Sequence, residues 1–156
     1  MNVRRRWWIA VLVLLVVGVP IAWYLGSPLF LNRTVSETFA PEEHSLAAGR
    51  FTDADSFHRG SGIARLVQTA SGHEVRFEEF RVTNGPDLYV YLAVHRQPRS
   101  RADVDQGFVT LGRLKGNIGP QRYALPADLD RSSYRSVVIY CRAFHVVFAT
   151  ATLAAP

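Results

Sequence analysis

Leu88-Tyr89-Val90-Tyr91-Leu92-Ala93-Val94-His95 reads as a β-strand with apolar side chains on both faces. Leu88, Val90, Leu92 and Val94 take one face, and Tyr89, Tyr91 and Ala93 take the other, because successive side chains along a strand point to opposite sides. A strand with one face in water alternates apolar with polar residues, so this run predicts an interior strand covered on both sides. Asn84-Gly85-Pro86-Asp87, just before it, is a dense turn signal.

The same reading extends outward. Gly62 to Thr69 and His73 to Phe77 form a hairpin pattern around Ser71-Gly72, and Phe80 to Thr83 continues the second run. The apolar parity shifts near Glu79, which predicts a bulge. On the other side, Phe108 to Leu114 is a strand pattern, and Lys115-Gly116-Asn117-Ile118-Gly119-Pro120 turns the chain. Gln121 to Leu125 follows before Pro126, and a polar loop from Asp128 to Ser133 leads to Val137 to Cys141 and Phe144 to Thr150. Eight or nine short strands without a helical pattern predict an all-β domain. An antiparallel β-sandwich is the first expectation and a closed β-barrel the second.

The N-terminus differs in kind. Arg4, Arg5 and Arg6 precede an uncharged run from Trp7 to Gly26, about 30 Å of helix and the thickness of a hydrocarbon core. Pro20 two residues before Ala22, and Tyr24 two before Gly26, spoil both small-residue cleavage patterns, and no cysteine for lipid attachment lies nearby. Trp7, Trp8, Trp23 and Tyr24 stand where interfacial aromatic belts belong, and the Arg triplet marks the cytoplasmic side. The expected organisation is a cytoplasmic tail over 1–6, a transmembrane helix over 7–26, a juxtamembrane linker over 27–47 and an extracytoplasmic domain over 48–154. A cleaved signal peptide is the alternative. The linker contains Pro28, Pro41, Glu42-Glu43-His44 and an Asn32-Arg33-Thr34 acceptor pattern, and its shortness holds the domain near the bilayer.

The formal net charge is +5, of which Arg4 to Arg6 supply three, leaving about +2 on the outward part. Lys115 is the only lysine and the arginines of the outward part do not cluster, so nucleic acid is not an expected partner. There is no GxSxG, HExxH, CxxC or phosphate-binding loop, which argues against hydrolytic and nucleotide-dependent chemistry. Asp53 and Asp55 alone are too few oxygen ligands for calcium.

Cys141 is the only cysteine, so no intrachain disulfide forms. An unpaired cysteine outside the cytoplasm is a reactive thiol, a ligand or an intermolecular bridge. It also ends an apolar strand, where a packed and inert thiol is the competing reading. His58 stands beside Gly60 and Gly62, which either admit a ligand to the backbone or form a bulge. As a loop-bracing histidine it would have no chemical role. His145, four residues after Cys141, lies about 13 Å from it along a continuous strand, too far to share a metal unless the chain bends at Arg142-Ala143.

Several blocks resemble the DM-thirteen domain family of bacterial membrane-anchored and Skeletor-type cell-surface proteins. They are Phe57-His58-Arg59-Gly60-Ser61-Gly62-Ile63-Ala64, Arg76 to Phe80, Thr83 to Leu92, Leu111 to Pro126, and Val137 to Cys141 with Phe144 and Phe148. The resemblance implies electron transfer at the cell surface with a redox partner protein. It also implies that Cys141 is a redox thiol or the ligand of a prosthetic group, with haem or a transition metal as candidates. An electron-transfer or binding module is expected rather than a turnover enzyme. His58 is the candidate partner of Cys141, because thiolate and imidazole together suit zinc, copper or haem iron. Lys115 and Asn117 are candidates for a third wall, although Asn commonly braces its own turn. The alternative function is a non-catalytic cell-surface binding or structural module with an inert Cys141.

Overall fold

The computed structural model describes residues 3–27, 31–42 and 44–155. Pro28 and Glu43 lie outside them, as do the side chains of Arg5 and Tyr24.

An apolar helical segment comes first: α1 (Val3–Val13), a π-helical turn (Leu14–Gly18) and α2 (Val19–Gly26). Pro20 has no N–H to give the Val16 carbonyl, and its ring crowds that carbonyl, so the turn ahead of it widens. Over Arg6–Trp23 the helix is long and apolar enough to cross a membrane, and the domain buries none of it.

The domain is all-β and antiparallel, with β1 (His44–Asp53), β2 (Gly60–Thr69), β3 (Gly72–Val82), β4 (Leu88–Ala93), β5 (Phe108–Arg113), β6 (Gln121–Ala124), β7 (Ser136–Cys141) and β8 (Val146–Thr152). One eight-stranded sheet runs in the order β5-β4-β7-β8-β1-β2-β3-β6. β1 is its corner: His44 to Arg50 pair with β2, whereas Phe51 to Asp53 pair with β8. The sheet halves on either side of β1 face each other across the core, as in a sandwich. Its two ends approach until it is a nearly closed barrel, and the Lys115 N–H beyond β5 donates to the Tyr123 hydroxyl of β6 at 2.9 Å.

β4 is interior, flanked by β5 and β7. Leu88, Val90 and Leu92 join Phe51, Phe77, Phe80, Ile139, Cys141 and Phe148 in the main core. Tyr91 and Ala93 pack on the outer side with Val138, Tyr140, Val147 and Val104. Val104 comes from α3 (Arg101–Val104), a single turn whose Ser100 and Asp103 cap each other in a capping box. Val94 falls just past the strand and is exposed.

The bulge is where the parity shift put it. Ser61 pairs with Arg81 and Ile63 with Glu78, so β3 carries one extra residue, and Glu79 takes a φ of 50°. Gly62 answers it at φ 104°, where a Cβ would lie 2.6 Å from the Glu78 carbonyl oxygen. Gly60 has a different reason, since a Cβ there would meet the Ala149 methyl at 2.3 Å.

The strand pairing begins within the stretch read as linker, and a segment ahead of it docks on the barrel. The Val35 N–H donates to the Ile118 carbonyl at 2.8 Å, and the Glu37 N–H to the Pro120 carbonyl at 3.1 Å. Arg76 of β3, 4% exposed, ion-pairs with Glu74, donates to the Ala40 carbonyl and lies under the Phe39 ring. Residues 33–42 thus form a strap across the β3–β6 side.

Candidate functional site

Strand directions gather four connections at one end of the barrel: residues 54–59, 83–87, 114–120 and 142–145. His58 lies on the first of these, Lys115 and Asn117 both lie on the third, and Cys141 closes the strand leading into the fourth.

His58 is held by the backbone of its own loop. One Asp55 carboxylate oxygen accepts the N–H groups of Phe57 and His58, both at 2.7 Å, and the other meets His58 Nδ1 at 2.7 Å. The His58 side-chain bond, then those two backbone N–H groups, pull the Asp55 pKa down to about 2. The imidazole lies against Phe148 with ring centroids 4.3 Å apart. Asp53 accepts the Gly60 N–H at 2.9 Å and closes the loop.

Cys141 is fully buried. It pairs with Leu88 of β4 and Val146 of β8, and shares the main core with Phe148 and Val90. Gly85 ties these pieces together, since a Cβ there would sit 2.8 Å from both Leu88 Cδ2 and Phe148 Cζ. Phe148 therefore stands between the His58 loop and the core that contains the thiol. The chain does bend at Arg142-Ala143: residues 142–145 are a turn, and His145 takes a φ of 56° at its end. Its ring lies 6.5 Å from that of Tyr140 on the outer face. The strand expected from Phe144 instead begins at Val146, and Phe144 is at the exposed turn.

Lys115 and Asn117 hold the strap. Lys115 Nζ donates to the Glu37 carboxylate at 2.8 and 3.1 Å and to the Arg122 carbonyl at 2.7 Å, and it sits over the Tyr123 ring. Asn117, 8% exposed, accepts the Arg33 N–H at 2.6 Å and donates to Asn32 Oδ1 at 2.9 Å. Both residues line a cleft of about 440 Å³ with Asn84, Pro86 and Leu31, and neither Cys141 nor His58 belongs to that lining.

Two features carried no signal in the residue pattern. Gln121 is wholly buried: its Oε1 accepts the Tyr123 hydroxyl at 2.6 Å and its Nε2 donates to the Gly116 carbonyl at 2.9 Å. The second is an aromatic cleft on the outer face, lined by Tyr91, Tyr140, Phe108, Arg142 and His145. Tyr91 stacks on Phe108 at 4.5 Å and lies 5.3 Å from Tyr140, and Arg142 covers Tyr89 at 4.5 Å. Burial raises the pKa of Tyr91 and of Tyr140, so both are neutral phenols.

This donor set does not fit a metal or haem at Cys141. Among the described residues, no three or more His, Cys, Asp and Glu side chains gather where they could hold a metal. The candidate partner His58 gives Nδ1 to Asp55, and the thiol has no accessible surface on which a macrocycle could seat.

The fold and its loop-bearing end define a small antiparallel β-domain on a single apolar helix. Residues 50–153 match the model of the family described as Electron transfer DM13. This chain belongs to the DM13 family, the DM-thirteen family that its sequence blocks resemble. Comparisons with curated proteins and with solved structures gave no match.

Proposed function

We propose that the chain is a membrane-tethered electron-transfer module whose domain works on the extracytoplasmic face, with Cys141 as its redox thiol and a redox partner protein at the cell surface. The observation that carries this reading is the DM13 match over residues 50–153 in a chain that also bears an Arg-flanked apolar helix. The Arg triplet orients the helix with its N-terminus in the cytoplasm. The tyrosine cleft beside the end of β7 offers a partner the Tyr and Arg side chains that dominate protein contacts.

One observation favours a second reading, a non-catalytic surface module. Cys141 is enclosed by apolar neighbours, and an enclosed thiol exchanges with nothing until the turn beside it opens. Electrochemical titration of the full-length protein in detergent separates the two readings. Electron uptake and release that vanish in Cys141→Ala support the redox module. Identical traces from both proteins support the surface module. A reporter fused after Pro156 tests the topology, with activity expected only outside the cytoplasm.

A further inference from the structure

The end of the barrel that carries the four connections is also the end from which the helix departs. Gly26 closes α2, and the Leu31 N–H donates to the Ser27 carbonyl just beyond it at 2.9 Å. Asn32, the next residue, is already fixed to the domain, because its side-chain oxygen accepts from Asn117 at 2.9 Å and from Asn84 at 3.2 Å. From Asn84 the loops are laced together. Thr83 N–H donates to the Arg59 carbonyl at 2.9 Å, and Arg142 N–H donates to the Asp87 carbonyl at 3.0 Å. The β1–β2 loop and the β7–β8 turn therefore flank the segment that anchors the helix.

Each of those two connections exposes a large aromatic ring. Phe57 is 83% exposed and Phe144 67%, whereas Phe51, Phe77, Phe80 and Phe148 are all buried. Arg59 follows Phe57 by two residues and Arg142 precedes Phe144 by two; both are exposed, with Arg59 Nε on the Ser56 carbonyl at 3.1 Å and the Arg142 guanidinium over the Tyr89 ring. Asp55 nearby is engaged with His58, and Asp87 faces Arg113 at 3.8 Å. Exposed aromatics flanked by arginine are the side chains that settle at a membrane–water interface, with rings among the headgroups and guanidinium groups toward phosphate.

We propose that Phe57 and Phe144 enter the interfacial layer of the bilayer that holds this chain's own helix, so that the domain stands on the membrane on three supports. This rests on the reading of the helix as a membrane anchor. It places the Cys141 end of the core and the mouth of the tyrosine cleft at the lipid surface rather than in bulk water.

The test uses the full chain in liposomes, with an environment-sensitive fluorophore on one introduced cysteine at a time; unlabelled wild type confirms that buried Cys141 stays unmodified. The variants are Val16→Cys in the helix, Phe57→Cys and Phe144→Cys at the loops, and Ala70→Cys at the far end of the barrel. Lipid-borne nitroxides should quench the probes at 16, 57 and 144 and leave the probe at 70 unaffected. Quenching at 16 without quenching at 57 and 144 would overturn the proposal while leaving the anchor intact. Loop probes shielded from water-borne quencher but untouched by lipid nitroxide would also overturn it, in favour of a protein partner. No quenching at 16 would remove the anchor reading and this proposal with it.

Discussion

His58 lies against Phe148, ring centroids 4.3 Å apart, and Phe148 belongs to the same buried cluster as Cys141. The loop that holds His58 is thereby coupled to the core through one phenyl ring. The coupling depends on Asp55, which bonds to the imidazole and to two backbone N–H groups.

The Asp55 pKa is depressed to about 2. A depressed carboxylate pKa means that the folded loop favours the charged form, so its contribution is full above the ordinary carboxylate range and is lost as pH falls toward about 2. Protection of the Phe57 and His58 amides, measured against intrinsic exchange at each pH, should fall over that interval. Asp55→Asn should show the lower protection already at neutral pH, with exchange in β4 unchanged.

Much of this arrangement was legible in the residues. Apolar character on both faces of Leu88 to Ala93 required neighbours on both sides, and the parity shift at Glu79 required an extra residue there. β1 was not legible, because Leu46 and Phe51 are its only large apolar residues and its identity comes from joining the sheet halves. The strap escaped because its bonds are largely backbone to backbone, or run to its Glu37 carboxylate from Arg122 and Lys115, which are distant in sequence. Ser100 and Asp103 did carry a capping-box signal for the short helix at Arg101. At the candidate site, the blocks containing His58 and Cys141 were readable, but the intervening Phe148 is a tertiary fact that no spacing reveals.

Leu92 tests the interior strand. It is 1% exposed, in the middle of β4. Leu92→Ala should cost about 2–5 kcal/mol through lost burial and the cavity left behind. Leu92→Asp should abolish the cooperative transition, because an unpaired carboxylate in that core costs several kcal/mol or more. Chemical denaturation followed by tyrosine fluorescence measures both.

The strap should behave as part of the domain. Gly119 has a φ of 96°, and a Cβ there would lie 2.1 Å from the Val35 carbonyl oxygen. Gly119→Ala should therefore strain its own turn and lift the strap, costing about 1–3 kcal/mol and exposing the chain near Arg33 to trypsin. Lys115→Met should do less, near 1 kcal/mol or below, because the Glu37 pair is partly in water. Proteolysis rates of the two variants should rank in that order.

The last prediction concerns Cys141 itself. The thiol has no exposed surface, and residues 142–145 are the connection whose opening would uncover it first, because β7 and β8 part there. Modification of the native protein by a small maleimide should be slow and should saturate with reagent, as expected when opening rather than chemistry limits the rate. Stiffening the turn tests where the opening occurs: Ala143→Pro, at an exposed turn position, should change the rate without changing the unfolding free energy by more than about 1 kcal/mol. Cys141→Ala should cost about 1–2 kcal/mol through lost packing, and Cys141→Ser more, since no hydrogen-bond partner awaits a buried hydroxyl. Rapid stoichiometric modification of the native wild type would show instead that the end of β7 is open in solution. The redox reading would then need no conformational step.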